Sequence, residues 1–302
     1  MVPQIALSRH GPDVSRIVHG LWRLAEWNKT KREVVGLIHG CLTEGITTFD
    51  HADIYGDYTC ESLFGAALAE AGIDRSTIQL VTKCGIKLVS ANRPQHGIHG
   101  YDTSCSHIIA SVENSLKCLR TDYIDLLLIH RPDLLMDPRE INEAFVRLRQ
   151  SGKVHYFGVS NFLPSQFEML ASKLDVPLVT NQMEYSVVNL NAHADGSIDL
   201  CQKLEIRPMA WSPLGGGLLF RDDSDRAKRL RETLTRIGVD LGGVSIDQVA
   251  IAWILKHPVK FVPVLGTGNP ARIKRSVEAL DLELSTDQWF EIRLASLGQD
   301  VP

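Results

Sequence analysis

No apolar run in this chain approaches the roughly 18 residues that a membrane-spanning helix requires. Neither charge dominates: 32 basic residues stand against 36 acidic ones, for a formal net charge of -4. That balance gives no basis for a nucleic-acid or membrane partner. The first eleven residues lack a basic segment followed by an apolar stretch, so no secretory leader is expected. The six cysteines (Cys41, Cys60, Cys84, Cys105, Cys118 and Cys201) are scattered singly, with no C-x-x-C pair. A reduced, cytoplasmic setting is therefore expected rather than a disulfide framework. Linkers, internal repeats and low-complexity tracts are also lacking, so residues 1–302 are read as one domain.

What the chain has is an ordinary globular composition, 44% hydrophobic over 302 residues, enough to bury a large core without staples. Strand-like runs alternate with amphipathic segments. The strands are expected at 17–20, 47–49, 78–82, 124–129, 155–159, 178–181, 207–211 and 261–265. The helices are expected at 31–44, 60–71, 107–119, 138–150, 164–173, 197–204 and 245–256, with 270–280 after the last strand. Eight strand–helix repeats predict an α/β fold, a single (β/α)8 TIM barrel, rather than an open sheet. Residues 5–7 and the Gly11-Pro12 turn predict a small N-terminal β-hairpin. Extra helices are expected after strand 7, within 220–241, and at the C-terminus over 285–297 with Ser285 as N-cap. The loop over 86–106 carries His96, His99, Tyr101 and His107. A loop that long on the carboxyl face of a barrel usually covers the site, and a solvated surface loop is the alternative. Its histidine spacing does not match a zinc signature, so no metal is expected there.

Four ionisable residues follow apolar strands: Asp50, Tyr55, Lys83 and His130. Such groups are costly at strand ends unless they meet one another, and the carboxyl ends of parallel strands face one crevice. A phenol with a pKa near 10 exchanges protons poorly near neutrality, and a neighbouring ammonium favours its ionised form. Asp50 would hold Lys83 charged. Tyr55 would give a proton to a carbonyl oxygen or take one from an alcohol. His130 would donate a hydrogen bond to that same oxygen. None of the four delivers a hydride, so carbonyl reduction needs a nicotinamide cofactor. Singly, Asp50–Lys83 reads equally as a structural ion pair and His130 as a core histidine. Their joint placement at successive strand ends is what points to catalysis.

Asp50-His51-Ala52-Asp53-Ile54-Tyr55, within 45–56, resembles the aldo-keto reductase signature around its catalytic Asp and Tyr. Thr82-Lys83-Cys84-Gly85 resembles the segment with the family's lysine. Residues 123–133 resemble the segment with its histidine, and 152–154 and 158–162 match further motifs. Trp27-Asn28, Gly215-Gly216-Gly217 and the closing 298–302 are similar to the YdhF-type branch of bacterial oxidoreductases. The resemblance runs from about Ile17 onward. It implies NADP(H) lying across the barrel mouth and a small-molecule carbonyl substrate. Ser160, Asn161 and Gln182 match positions that bind the nicotinamide carboxamide, and Trp211 matches the aromatic that stacks on the ring. Ser212, Leu214 and Gly215 would run along the pyrophosphate, with Gly20 and Trp22 also at the cofactor. Gly266, Thr267, Gly268, Asn269 and Arg272 match the segment at the adenosine phosphate, with Arg275 one turn on as a further cofactor candidate, where many relatives carry an acid; the family often has lysine where Gly266 stands. Trp22, Trp27 and His51 are candidates for the substrate pocket, although tryptophans are as often core.

Gly266-x-Gly268-x-x-Ala271 also fits a dinucleotide fingerprint, but it follows the eighth strand with too little chain left for βαβ units. Two other functions remain open from sequence. Potassium channel β-subunits of the same superfamily act largely as cofactor-holding partners of a membrane protein. A metal-dependent hydrolase would use Asp50, His51, Asp53 and His130, and would leave Lys83 and Gln182 without roles.

Overall fold

A computed structural model describes residues 1–301. Eight parallel strands close into a barrel in which each strand pairs with the next in sequence, and the last pairs with the first. They are β1 (Val18–Gly20), β2 (Thr48–Asp50), β3 (Gln79–Cys84), β4 (Ile124–Ile129), β5 (Val154–Ser160), β6 (Leu178–Glu184), β7 (Met209–Trp211) and β8 (Val262–Leu265). The surrounding helices are α1 (Lys31–Glu44), α2 (Cys60–Leu68), α3 (Cys105–Leu119), α4 (Pro138–Gln150), α5 (Pro164–Ala171), α6 (Ser197–Lys203), α7 (Ile246–Lys256) and α8 (Pro270–Glu278). Two further helices, Asp225–Asp240 and Thr286–Leu297, pack on each other outside the ring. The expected N-terminal hairpin is present as Gln4–Ala6 against Asp13–Ser15. Among the described residues no helix is long and apolar enough to cross a membrane.

Strand side chains alternate between two faces, and this alternation builds the site. Val18, Val81, Leu126, Leu128, Met209, Val262 and Val264 meet in one buried cluster inside the barrel. Leu7 and Val14 from the hairpin join them. Two residues further along the same strands, on the same inward face, come Gly20, Lys83, His130, Trp211 and Gly266. Asp50 follows Thr48 in the same phase. The apolar layer thus supports a polar layer at the carboxyl ends. In β6 the pairing register shifts between Leu178 and Asn181. Such an irregularity resets the alternation: Val179 joins the interior cluster, and Gln182, three residues on, also points inward.

Local signals account for most boundaries. Thr30 and Glu33 form a capping box at α1, and Asn269 caps α8 ahead of Pro270. Ser285 caps the final helix as expected. The differences are also local. Helix α3 begins at Cys105 rather than 107 because Ser104 is its N-cap. The expected helix over 220–241 is divided, since Ser224 caps a new helix at Asp225. Strand β6 runs three residues beyond the expected 178–181, because Gln182–Glu184 pair with β7. The 86–106 loop folds back as a two-residue hairpin, Ile86–Lys87 with Gly100–Tyr101. His96 within it is held near the Tyr58 hydroxyl and the Leu88 carbonyl.

Helices α2 and α3 approach most closely at Gly65. A Cβ there would collide with the Cys118 carbonyl oxygen and the Leu119 backbone. Gly36 lies within α1 with nothing within 4 Å of its missing Cβ. Gly65→Ala is expected to lower stability by about 1–3 kcal/mol through overpacking. Gly36→Ala should raise it by about 0.5–1 kcal/mol. Urea midpoints at unchanged slope measure both, and equal effects of the two substitutions would disprove the close approach at Gly65.

Candidate active site

The Lys83 side chain is fully buried, and its ammonium uses all three protons. It donates to Asp50 Oδ2 at 2.7 Å, to the His51 carbonyl at 2.6 Å and to the Tyr55 hydroxyl at 3.1 Å. The second Asp50 oxygen accepts from Gln182 Nε2 at 2.9 Å, across the barrel. The Tyr55 and His130 rings meet edge to face at 5.8 Å. The four residues expected from sequence are therefore brought together, three in direct contact and His130 against Tyr55.

Tyr55 owes its position to a tight reversal after β2. Its backbone N–H donates to the Ala52 carbonyl, and Gly56 and Asp57 both take positive φ, 57° and 55°. A Cβ on Gly56 would come within 2.6 Å of Cys60 Sγ and 2.8 Å of Ala25 Cβ, so glycine is required there. On the opposite wall Asn161 holds φ of 61°, an uncommon conformation that tends to mark functional positions. Its Nδ2 donates to Ser160 Oγ at 2.8 Å, and its Oδ1 accepts from Trp211 Nε1 at 3.0 Å.

These residues open into a cavity of about 650 Å³. Of the residues expected at the cofactor or substrate, Gly20, Trp22, Ser160, Asn161, Gln182, Trp211, Ser212, Leu214, Gly266, Thr267, Arg272 and Arg275 line it, with Asp50, Tyr55 and His130. Five do not. Gly215 is buried against Val188. The Asn269 side chain caps α8. Gly268 packs on the Trp27 ring, which turns Trp27 into the helical core rather than the substrate pocket. His51 is buried with its ring on Phe64 at 4.5 Å, because strand alternation sends it to the opposite face from Asp50. The metal-hydrolase set fails for the same reason: His51 faces away, and Asp50 is occupied by Lys83 and Gln182. The 86–106 loop supplies only Ile86 to the lining. Sequence reading missed Arg23, Arg131 and Asp247, while Arg221 opens a charged run, 221–226, that reads as a solvated helix approach or as a segment closing over the pyrophosphate. Arg23 and Arg131 immediately follow Trp22 and His130, and adjacency was the available signal. Asp247 carried none.

Burial raises the Tyr55 phenol above its ordinary pKa and outweighs the opposing pull of Lys83. The lowering expected from the neighbouring ammonium is thus reversed by desolvation. Burial disfavours the Lys83 ammonium, but Asp50 and Tyr55 together hold its pKa above the ordinary value. Burial, then Lys83 and Arg131, push His130 well below 6.5. The site at neutral pH therefore sets a phenol, an ammonium and a neutral imidazole around Asp50.

A sequence model of the aldo/keto reductase family matches residues 16–296. The chain is 48% identical over 302 residues to oxidoreductase YdhF of Escherichia coli (strain K12), covering 100% of both. It is 44% identical over 290 residues to 6-dehydroglucose reductase of Agrobacterium fabrum, covering 96% of each. Among solved structures it is similar to the thermostable aldo-keto reductase Tm1743, solved with the inhibitor epalrestat. The TM-score is 0.83 and the identity 27%, over 97% of this chain and 99% of that one.

Behind the catalytic set lies His19, in the middle of β1 and fully buried, with neither ring nitrogen hydrogen-bonded. Burial lowers its pKa to about 4. The unfolded chain binds a proton there near pH 6.5, while the folded chain does not. Stability from this site is therefore complete above pH 6.5 and is lost as pH falls toward 4, on the order of 3 kcal/mol. His19→Leu should flatten the fall in unfolding free energy between pH 6.5 and 4 relative to the unsubstituted protein. Parallel curves for the two proteins would refute a buried neutral His19.

Proposed function

Because the chain belongs to the aldo/keto reductase family, we propose that this carbonyl-reducing oxidoreductase is NADPH-dependent and uses Tyr55 as its proton donor. The observation that carries this reading is Lys83 Nζ, held between Asp50 Oδ2 and the Tyr55 hydroxyl at the cavity wall. Tyr55 keeps its proton at neutral pH and has it to give. When the phenol ionises, the ammonium 3.1 Å away stabilises the phenolate, and Asp50 keeps that ammonium charged. Neutral His130 orients the carbonyl oxygen by a hydrogen bond. Gln182 Nε2 holds the other side of Asp50, and its side-chain carbonyl is left for the carboxamide.

The residues present fit a nicotinamide dinucleotide. Trp211 offers an aromatic face beside the amide and hydroxyl of Asn161 and Ser160. A Cβ at Gly266 would meet nothing within 4 Å, so the backbone there lies open. Arg272 follows in the first turn of α8, in the same cavity. Arg275 is engaged by Asp247 at 3.4 Å, which leaves Arg272 as the phosphate ligand of this segment. Bound NADPH supplies the hydride; the protein's own groups position the carbonyl and move the proton. Aldehydes and ketones are the substrate class. The relative named 6-dehydroglucose reductase puts that compound in the screen.

Tyr55→Phe removes one hydroxyl and should lower single-turnover reduction of a reactive aldehyde by about 100- to 10,000-fold. NADPH binding, followed by tryptophan fluorescence, should persist. Near-normal turnover would transfer the donor role to His130. Separately, Arg272→Ala should weaken NADPH by about 1–3 kcal/mol, the range for a hydrogen bond to a charged group, with a much smaller effect on NADH. A guanidinium recognises the 2′-phosphate that NADH lacks. Equal losses for both cofactors would make Arg272 structural.

A further inference from the structure

Five arginines line the cavity, and four have partners or a place in the cofactor reading. Arg23 and Arg221 both donate to the Gly216 carbonyl, at 3.3 and 2.8 Å. Arg275 pairs with Asp247, and Arg272 stands at the start of α8. Arg131 is the fifth. Among the described residues its side chain donates no hydrogen bond, and no carboxylate lies within 4.0 Å of it. Its nearest aromatic contact is loose, 5.9 Å from guanidinium carbon to the Trp211 ring centre.

The acids of the cavity cannot neutralise it. Only Asp50 and Asp247 line the cavity among the described residues, and both are occupied: Asp50 by Lys83 and Gln182, Asp247 by Arg275. Arg131 directly follows His130, so its charge lies at the reacting end. The other walls there, Trp22, Ile54 and Ile86, are apolar. An uncompensated guanidinium in an apolar mouth offers a planar, two-pronged donor to a carboxylate. Uncharged carbonyl compounds leave it unused.

We propose that Arg131 determines specificity by binding a carboxylate on the substrate, so that the preferred substrates are aldehydes or ketones bearing an acid group. This rests on the carbonyl-reductase reading. The carboxylate is unchanged in the reaction. The carbonyl carbon accepts the hydride of NADPH, which becomes NADP⁺, and the carbonyl oxygen takes the proton of Tyr55, which water later restores.

The test compares 4-carboxybenzaldehyde with 4-nitrobenzaldehyde, two electron-poor aldehydes that differ in charge. The unsubstituted protein should favour the carboxylate by kcat/KM. In Arg131→Ala that ratio should fall about 10- to 100-fold, the equivalent of one charge-assisted hydrogen-bonded contact, mainly through KM. Arg131→Lys should retain part of the preference. NADPH affinity, titrated by tryptophan fluorescence, should match the unsubstituted protein. An unchanged ratio overturns the proposal. So does a loss of NADPH affinity in Arg131→Ala, which would assign the guanidinium to the cofactor's phosphates. If neither aldehyde is reduced, the reductase reading has failed, and equilibrium binding of the two aldehydes still decides the role of Arg131. A carboxylate preference that disappears in Arg131→Ala upholds it, and equal binding overturns it.

Discussion

A lysine ammonium sealed inside a closed barrel is the constraint around which this structure is arranged. Removing such an ion from water costs several kcal/mol, recovered only when its partners are close and all its donors are satisfied. Lys83 meets that condition with three oxygens from the segment between Asp50 and Tyr55. Two of these, the Asp50 carboxylate and the His51 carbonyl, come from the end of β2 next door. The β2–β3 register, with Asp50 opposite Val81, sets how far the lysine must reach. Gln182, from the far side of the ring, completes the carboxylate. The ion pair thus couples three strands and the Tyr55 turn, and the proton chemistry follows from that coupling.

The barrel interior is divided along its axis into an apolar layer and a polar one, and the division follows from a period of two. Each strand that carries a valine, leucine or methionine inward presents its functional residue two positions later. The hairpin closes the amino end with Leu7 and Val14, so the polar layer is wetted only from the carboxyl end. Strand β6 breaks the period, and its irregular pairing is what lets both Val179 and Gln182 face inward.

Much of this was legible in the sequence. Eight apolar runs separated by amphipathic segments specify the barrel, and ionisable residues at consecutive strand ends mark Asp50, Tyr55, Lys83 and His130. What escaped depended on side-chain direction or on contacts between distant loops. His51 and Asp50 are neighbours in sequence but point to opposite faces. Trp27 reads as well for a pocket as for a core until Gly268, far away in the chain, is found against its ring. Gln182 was singled out only by the family resemblance; the expected β6 stopped one residue short of it, since a polar residue in a buried strand disguises the pattern. Asp247 sits in the first turn of α7 with nothing local to set it apart; only Arg275, from the next helix, reveals its place in the cavity. The direction of the Tyr55 shift was also illegible, because a sequence shows the neighbouring charge but not the depth of burial that opposes it.

The balance of charge in the cavity joins these features. Arginines that follow β1, β4, β7 and β8 in the chain converge on a space lined, among the described residues, by only two aspartates, each already paired. Burial, with Lys83 and Arg131 beside it, keeps His130 uncharged; a second proton on the imidazole would meet those two cations. A neutral imidazole can donate to a carbonyl oxygen without competing with Tyr55 to protonate it. The same cations suit the mouth to anionic ligands. The neutrality of His130 and the fit of the mouth to negative charge thus meet in Arg131, beside a buried Lys83 paired with Asp50.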